Sequence, residues 1–482
     1  MNTNCLLRFS KILVVIFTLL VFAGAYSNPD INNDIDGKWY LEINIGGIGI
    51  LRTVMNFETK TVNNDNSIEI KFNAYTREGA VKDFTDIYSS PMAAMLSRIP
   101  NGSIIKIDRG ETLSDNGKIN IQGSFVSLAG NFNLEGNINE DLIIGNLKRK
   151  DKSIAGVING YRITPDKVPL LSDYTAIINT IIDTTEKNIF SADMIATDKW
   201  KDFKSHIASA SKFIHDDAEL AFAFFYFADG LPFSHFHLTR DLNRSNSVLE
   251  NLSGETKDTM NVVYEMKDYE KNTCYLKINS FSGSSQEIDS LFKIINDKGY
   301  DNLIIDLRNN RGGSLSAGLR TAQYLIKEEL NGGIFLTRKW FDSERKIPVP
   351  DDYKNFPSIS EANQELLTQN IHDYEAVTMT SKPLANRFKG KVYILTSKIT
   401  GSTCEPLVYG LKQSGTAVII GEKTAGAMLS GEKFSVGDEF FLTIPTADFY
   451  TSDGIRLDGV GVTPDIEVNP KDALEYVLKL PK

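Results

Sequence analysis

Ser402 lies where a serine hydroxyl can act as a nucleophile. Residues 391–396 predict a buried strand and residues 403–413 predict a helix, with Ser402 at the junction. A turn at such a junction exposes Oγ, and the N–H of Thr403 can point at a developing oxyanion. Serine is also a common N-cap residue, and Glu405 three positions later would complete a capping box. The residue types therefore leave two interpretations of Ser402, a nucleophile and a helix cap.

The segment Ser234-His235-Phe236-His237 contains two of the five histidines of the chain. In an extended segment both imidazoles would face the same side. Such histidines can act as a general base, bind a metal as a pair, or serve a structural role. A metal pair is disfavoured because no third histidine, cysteine or carboxylate lies nearby at a supporting spacing.

Gly312 and Gly313 end a polar loop that begins at Asp306, between a predicted strand at 302–307 and a predicted helix at 315–326. Paired glycines let the backbone pass close to a ligand, and N–H groups at a helix N-terminus can bind negative charge. A plain tight turn is the alternative. If Ser402 is a nucleophile, the amides of Gly312 or Gly313 are candidate oxyanion donors.

Together these motifs resemble the tail-specific, or C-terminal processing, serine peptidases over about 272–468. Residues 306–313 resemble the family's D-L-R-x-N-x-G-G, and residues 396–405 resemble its T-S-x-x-T-x-S-x-x-E. Residues 420–426 resemble V-G-E-x-T-x-G, and residues 457–465 resemble E-G-x-G-V-x-P-D. The resemblance implies an α/β catalytic domain of the crotonase and ClpP type. It also implies hydrolysis of polypeptide substrates without a cofactor or metal.

The family's catalytic base divides it into two branches, and one of them uses a lysine. In the Ser–Lys branch the lysine lies in G-E-x-T-F-G-K-G. Ala427 occupies that position here, and Lys423 falls at a variable position of the motif. The resemblance therefore implies that Lys423 is not the base.

The other branch resembles the tricorn core protease and uses a Ser–His–Ser–Glu tetrad. Carried over to this sequence, it implies Ser402 as the nucleophile and His235 as the base. Ser234 and Asp458 then orient the histidine. The N–H of Thr403, the residue after Ser402, is then one of the oxyanion donors. Asp458 is one methylene shorter than the family's glutamate, and His237 is a rival base.

The stretch between His237 and Cys274 is too short for the PDZ domain that many relatives carry there. Two other functions share the same scaffold. One is a non-catalytic protein that binds apolar ligands or peptides, as do retinoid-binding proteins that resemble this domain. The other is an esterase. Cys274 and Cys404 are either disulfide-bonded or two buried thiols.

The elements that position these residues predict a multidomain chain with three folded regions. Seven strand-like runs between 36 and 163 predict a sandwich or barrel, and helices follow to about 232. From about 260, strands and helices alternate, which predicts an α/β domain with a largely parallel sheet. The expected boundaries are an N-terminal all-β domain at 28–165, a helical segment with the Ser-His pair at 166–255, and the catalytic domain at 256–482, with an irregular insert at about 341–387.

Composition and the first residues indicate an exported globular protein. The 482 residues include 62 acidic and 52 basic side chains, a net charge of -10, which disfavours nucleic acid as a partner. Arg8 and Lys11 precede an apolar run at 12–22 and then small residues, the pattern of a secretory signal peptide cleaved after Ala25 or Ser27. The run is too short to span a bilayer. We therefore expect a periplasmic or extracellular protein.

Overall fold

The computed structural model describes residues 35–480, with gaps at 47, 65–66, 91–92, 94–99, 116–117, 128, 241–263, 344 and 361–362. The expected signal peptide, residues 1–27, lies outside the described residues. The chain divides into two compact units. The described residues of the first lie within 1–43, 53–78 and 103–169, and those of the second within 44–52, 79–102 and 170–482.

Eight described strands, paired in chain order, form a closed β-barrel. Successive pairs from the second strand to the eighth are antiparallel. Trp39, Phe57 and Phe125 are fully buried. The expectation of a sandwich or barrel is confirmed as a barrel, and the last strand is one that the sequence pattern did not predict. The strands are β1 (Gly37–Ile45), β2 (Gly49–Asn64), β3 (Ser67–Tyr75), β4 (Lys106–Asp115), β5 (Lys118–Ser127), β6 (Gly130–Asn139), β7 (Leu142–Lys148) and β8 (Ile154–Arg162).

The second unit contains two sheets and most of the helices. Its described strands are β9 (His237–Arg240), β10 (Tyr264–Tyr269), β11 (Thr273–Ile278), β12 (Asn302–Asp306), β13 (Leu330–Thr337), β14 (Ser358–Ile359), β15 (Ala376–Ser381), β16 (Lys391–Thr396), β17 (Ala417–Gly421), β18 (Leu429–Gly437), β19 (Phe440–Tyr450) and β20 (Ile466–Glu467). Its described helices are α1 (Ala80–Ile87), α2 (Tyr174–Asn188), α3 (Ala192–Ala196), α4 (Asp198–Ala210), α5 (Asp217–Ala228), α6 (Ser285–Lys298), α7 (Leu315–Leu325), α8 (Arg338–Phe341), α9 (Gln364–Asp373), α10 (Cys404–Gln413) and α11 (Ala473–Lys479).

The first sheet has the order β10-β11-β12-β16-β17-β20 and is parallel except for β10. Its inner strands are apolar on both faces; Leu303, Ile304 and Ile305 of β12 are fully buried, as expected of a parallel sheet covered on both sides. The loops after β12, β16 and β17 all leave from the carboxyl ends of these strands. That edge of the sheet therefore gathers three of the motifs that the sequence singled out, those at 306–313, 396–405 and 420–426.

The second sheet has the order β14-β15-β13-β19-β18, and β9 also pairs with β19. The expectation of an irregular insert at 341–387 is wrong at its end, because Ala376–Ser381 forms β15 between β14 and β13. The insert also contains the helix α9, Gln364–Asp373. The strand β15 has only a short apolar–polar alternation in its sequence, and it forms because β14 and β13 pair with it on either side.

Cys274 and Cys404 are buried free thiols, so the structure has the two thiols and not the disulfide. Within the part of the chain that the structure describes, no helix is long and apolar enough to cross a membrane.

Candidate active site

Ser402 occupies a sharp turn between β16 and α10. Its φ angle is 53°, a left-handed backbone conformation that is uncommon for a residue other than glycine and is often retained at functional sites. The Ser402 N–H donates to the carbonyl of Ala427 at 3.0 Å and to Glu405 Oε2 at 3.2 Å. Its Oγ lies 3.0 Å from His235 Nε2. The N-cap residue of α10 is Thr403, which makes no side-chain cap bond, so the helix-cap interpretation of Ser402 is wrong, and the Ser402 hydroxyl contacts His235 instead.

His235 is connected through Ser234 to Asp458. The His235 Nδ1 atom is 2.8 Å from Ser234 Oγ, and Ser234 Oγ donates to Asp458 Oδ1 at 2.6 Å. Because the Ser234 hydroxyl has one hydrogen and gives it to Asp458, it accepts from an N–H at Nδ1. A neutral His235 then has a bare Nε2, which can accept the hydroxyl proton of Ser402. The structure therefore brings the four predicted residues into one hydrogen-bonded series.

His237 does not take the position of a base in this structure. It begins β9, where it pairs with Thr443, and its ring centroid is 6.4 Å from that of His235. The expectation that both imidazoles share one face of an extended segment is wrong, because His235 has φ 57° and precedes the strand. The turn at His235 aims its ring at Ser402.

Burial sets the protonation state of the series. Burial, with a smaller contribution from the neighbouring His237, lowers the pKa of His235 to about 4. Burial raises the pKa of Asp458, while the hydrogen bond from Ser234 and the charge of Arg456 act in the opposite direction. His235 is therefore neutral near pH 7 and able to accept a proton.

The loop with the paired glycines lies directly against the Ser402 turn. Gly312 has φ 100° and Gly313 has φ 136°. A Cβ atom on Gly312 would lie 2.5 Å from the Cβ of Ser402, so only glycine fits there. The Gly312 N–H donates to Asn310 Oδ1 at 2.8 Å, whereas Thr403 Oγ1 donates to the carbonyl of Gly313 at 2.7 Å. The Gly312 N–H is thus occupied by a hydrogen bond within the loop. A second hydrogen bond joins the loop to Thr403, the residue after the candidate nucleophile.

Glu405 has a role that sequence reasoning recognised only as part of a cap. Its side chain is fully buried, and its Oε2 accepts from Ser402 N–H and from Ala427 N–H, the latter at 2.7 Å. Its Oε1 accepts from Thr424 Oγ1 at 2.6 Å and from Gly426 N–H at 2.7 Å. One carboxylate therefore holds the Ser402 turn to the loop after β17.

Arg456 is a second contributor that sequence reasoning missed. Its Nη2 lies 3.3 Å from Asp458 Oδ2, and its Nε lies 2.7 Å from Asp448 Oδ2. Its position two residues before Asp458 was the available signal.

Among the described residues, no group of three or more histidine, cysteine, aspartate or glutamate side chains is arranged to hold a metal ion.

Lys423 is exposed in the loop after β17, away from any role in the hydrogen-bonded series described above. We expect Lys423→Ala to retain most of the turnover of the parent protein, because Ser402 already contacts His235. Steady-state kinetics on a common peptide substrate measures this. A loss on the order of 10³-fold, the scale of removing a reacting group, would contradict it.

Comparisons with known proteins locate the similarity in the second unit. Residues 272–468 match the model of peptidase family S41, which confirms the resemblance predicted from the motifs. The carboxyl-terminal-processing protease of Picosynechococcus sp. is 29% identical over 229 residues, 46% of this chain and 46% of that protein. The chloroplastic C-terminal processing peptidase of Tetradesmus obliquus is 23% identical over 198 residues, 41% of this chain and 35% of that protein. The aligned part thus spans less than half the length of these relatives.

Two solved structures align with part of this chain at low sequence identity. A putative peptidase from Parabacteroides merdae aligns with a TM-score of 0.42 and 15% identity, over 64% of this chain and 98% of that one. The photosystem II D1 C-terminal processing protease aligns with a TM-score of 0.38 and 14% identity, over 64% of this chain and 97% of that one.

Proposed function

With residues 272–468 similar to peptidase family S41, we propose that this chain is a serine-type endopeptidase whose catalytic groups are Ser402, His235, Ser234 and Asp458. The observation that carries the proposal is the unbroken series of hydrogen bonds from Ser402 Oγ to Asp458 Oδ1, at 3.0, 2.8 and 2.6 Å. The nucleophile, base and orienting acid then have the mutual geometry of a catalytic triad, with one added hydroxyl.

In the proposed reaction, Ser402 Oγ attacks the carbonyl carbon of the scissile peptide while His235 Nε2 takes the hydroxyl proton. The proton then passes from His235 to the leaving amine nitrogen, the C–N bond breaks, and an acyl-enzyme remains on Ser402. A water molecule gives its proton to His235 and attacks the ester, which releases the acid product and restores the Ser402 hydroxyl. Asp458, acting through Ser234, stabilises the imidazolium in both steps.

The oxyanion of the tetrahedral intermediate needs preorganised donors close to Ser402. The proposed donors are the N–H groups of Gly313 and Thr403, at the start of α7 and α10. Gly312 contributes by its lack of a side chain, because its own N–H donates to Asn310. The bond from Thr403 Oγ1 to the Gly313 carbonyl fixes the spacing of the two donors.

The acid limb of kcat/KM is expected below the ordinary histidine pKa of about 6.5. The base must be neutral to accept a proton, and burial lowers the pKa of His235 to about 4. A lowered pKa moves the protonated, inactive form to lower pH, so kcat/KM stays level from neutrality towards pH 5 and falls below that. Initial rates between pH 3.5 and 8 measure the limb. A midpoint at or above 6.5 would show that a different group governs it.

A digest of an unbiased peptide library, run beside the Ser402→Ala variant, tests the proposed activity. We expect internal cleavage by the parent protein, covalent labelling of Ser402 by a fluorophosphonate, and neither with the variant. A non-catalytic binding protein would give no labelling. An esterase would be labelled and would hydrolyse esters while leaving every peptide intact.

The remaining features of the proposal concern the whole chain. We propose that the protein is exported after loss of a signal peptide and acts in the periplasm or outside the cell. The proposed divisions are the N-terminal β domain at 28–165, whose stretches 44–52 and 79–102, with α1, belong to the second compact unit, the segment at 166–255 and the catalytic domain at 256–482. The catalytic domain is proposed to be of the crotonase and ClpP type. Polypeptides are the proposed substrates.

A further inference from the structure

Two buried carboxylates share one guanidinium at the far end of the hydrogen-bonded series. The side chains of Asp448 and Asp458 are 3% and 4% exposed. Arg456 reaches both, with Nε 2.7 Å from Asp448 Oδ2 and Nη2 3.3 Å from Asp458 Oδ2. Its Nη1 also donates to the backbone carbonyl of Asp458 at 3.1 Å. One cation thus fixes the side chain and the backbone of Asp458.

Asp448 has an unusual position for a carboxylate. It lies inside β19, where it pairs with Leu336 of β13 on one side and with Leu429 of β18 on the other. Apart from Arg456, its oxygens accept from the N–H of Phe449 at 3.0 Å and from the hydroxyl of Tyr450 at 3.4 Å. Burying an ion in the middle of a sheet costs free energy unless a partner compensates it.

The titratable groups around Asp448, Arg456 and Asp458 come from three parts of the second unit. Asp448 and the Tyr450 hydroxyl approach from β19, Arg456 from the turn after β19, and His235 from the segment before β9 through Ser234. Burial and, to a lesser extent, the charge of Asp458 raise the pKa of Asp448, Arg456 lowers it, and the net result is a pKa of about 6. Two carboxylates facing one guanidinium leave the group with one net negative charge when both are ionised.

We propose that Arg456, anchored by Asp448, is a positioning residue that keeps Asp458 ionised and aimed at Ser234. This inference rests on the proposed peptidase function. Asp458 Oδ1 accepts from Ser234 and from the N–H of Met428 at 3.1 Å, so the second oxygen is the one that Arg456 holds. Without Arg456, the two like charges of Asp448 and Asp458 would share a buried site, and the pair would take up one proton near neutral pH, shared between the two carboxyl groups. A protonated Asp458 would no longer stabilise the imidazolium of His235.

The test compares Arg456→Ala with the double variant Arg456→Ala/Asp448→Asn. We expect Arg456→Ala to lower kcat at pH 7 about tenfold or more, because a weaker Asp458 stabilises the imidazolium of His235 less, and an interaction worth one pKa unit corresponds to about tenfold in rate. Its acid limb should move to higher pH while KM changes little. Adding Asp448→Asn removes the competing charge, so the double variant should recover part of kcat and move the limb back. A structural role alone predicts that the second substitution adds damage.

The control and the conservative variant complete the design. Arg345→Ala removes an arginine from the exposed pair with Glu375 and should leave kcat and the limb unchanged. Arg456→Lys keeps the cation and should lie between the parent and Arg456→Ala; it carries the test if the alanine variant does not fold. An unmoved limb in folded Arg456→Ala, or a double variant worse than the single, would overturn the inference.

An infrared measurement separates this inference from the proposed function. With isotope-labelled aspartate, Arg456→Ala should gain a protonated carboxyl band at pH 7 that the double variant loses again. If the parent protein shows no turnover and no fluorophosphonate labelling, the proposed function fails, yet the band still reports on Arg456. If the parent is active and the band does not appear, only the role of Arg456 is overturned.

Discussion

Ser402→Ala and His235→Ala should each lower peptide turnover by at least about 10⁴-fold, and combining them should cost no more than one alone. The His235 Nε2 atom lies 3.0 Å from Ser402 Oγ, so the two act as one unit: without the base the hydroxyl keeps its proton, and without the hydroxyl the base has nothing to deprotonate. Single-turnover and steady-state rates of the two single variants and the double variant measure this.

His237→Ala is the matched control for His235→Ala. It removes an imidazole whose ring centroid is only 6.4 Å from that of His235, while the backbone of residue 237 can keep its pairing with Thr443 of β19. We expect it to keep turnover within about tenfold of the parent. Losses from Ser402→Ala and His235→Ala that multiply in the double variant would mean that the two side chains act independently, and the proposed mechanism would be wrong.

The side-chain chemistry of the site could be predicted from the sequence, but its backbone geometry could not. Ser402 was identifiable because it lies between a predicted strand and a predicted helix, and Asp458 because residues 457–465 resemble a motif of the peptidase family. That His235, and not His237, faces the serine depends on a left-handed φ of 57° at His235. A left-handed conformation is uncommon for a residue other than glycine, so the sequence alone predicts an extended chain at His235.

Contacts between distant strands explain the rest of what sequence reasoning missed. Asp448 reads as an ordinary polar position of a strand, and its pairing with Arg456 becomes evident only when β19 lies between β13 and β18. The strand β15 carries little pattern of its own for the same reason, because its two partners determine it. The helices expected up to about 232 depend less on distant contacts; the apolar spacing of α2 is set within the helix itself.

Gly312→Ala should reduce turnover on the order of 10²–10³-fold while leaving the protein folded, the scale of losing one oxyanion donor. The added Cβ would lie 2.5 Å from the Cβ of Ser402, 2.9 Å from the carbonyl oxygen of Gly401 and 3.0 Å from Ser402 Oγ. Two of these neighbours belong to the nucleophile and the third to backbone, so the Ser402 turn or the glycine loop must move. A displacement of about 1 Å is enough to cost 10²-fold.

The variant Gly299→Ala distinguishes the effect of a Cβ that collides with its neighbours from the effect of backbone strain at a positive φ. Gly299 also has positive φ, 67°, but nothing lies within 4 Å of its missing Cβ, and it ends α6 as the C-cap. We expect it to cost about 1 kcal/mol of stability and no activity. Labelling rates with a fluorophosphonate, measured beside thermal unfolding, compare the two variants. If Gly312→Ala unfolds like Gly299→Ala and is labelled as fast as the parent, the glycine loop does not shape the site around Ser402. Slow labelling in a folded Gly312→Ala would instead tie the spacing between the Ser402 turn and the Gly312 loop directly to the reactivity of the serine.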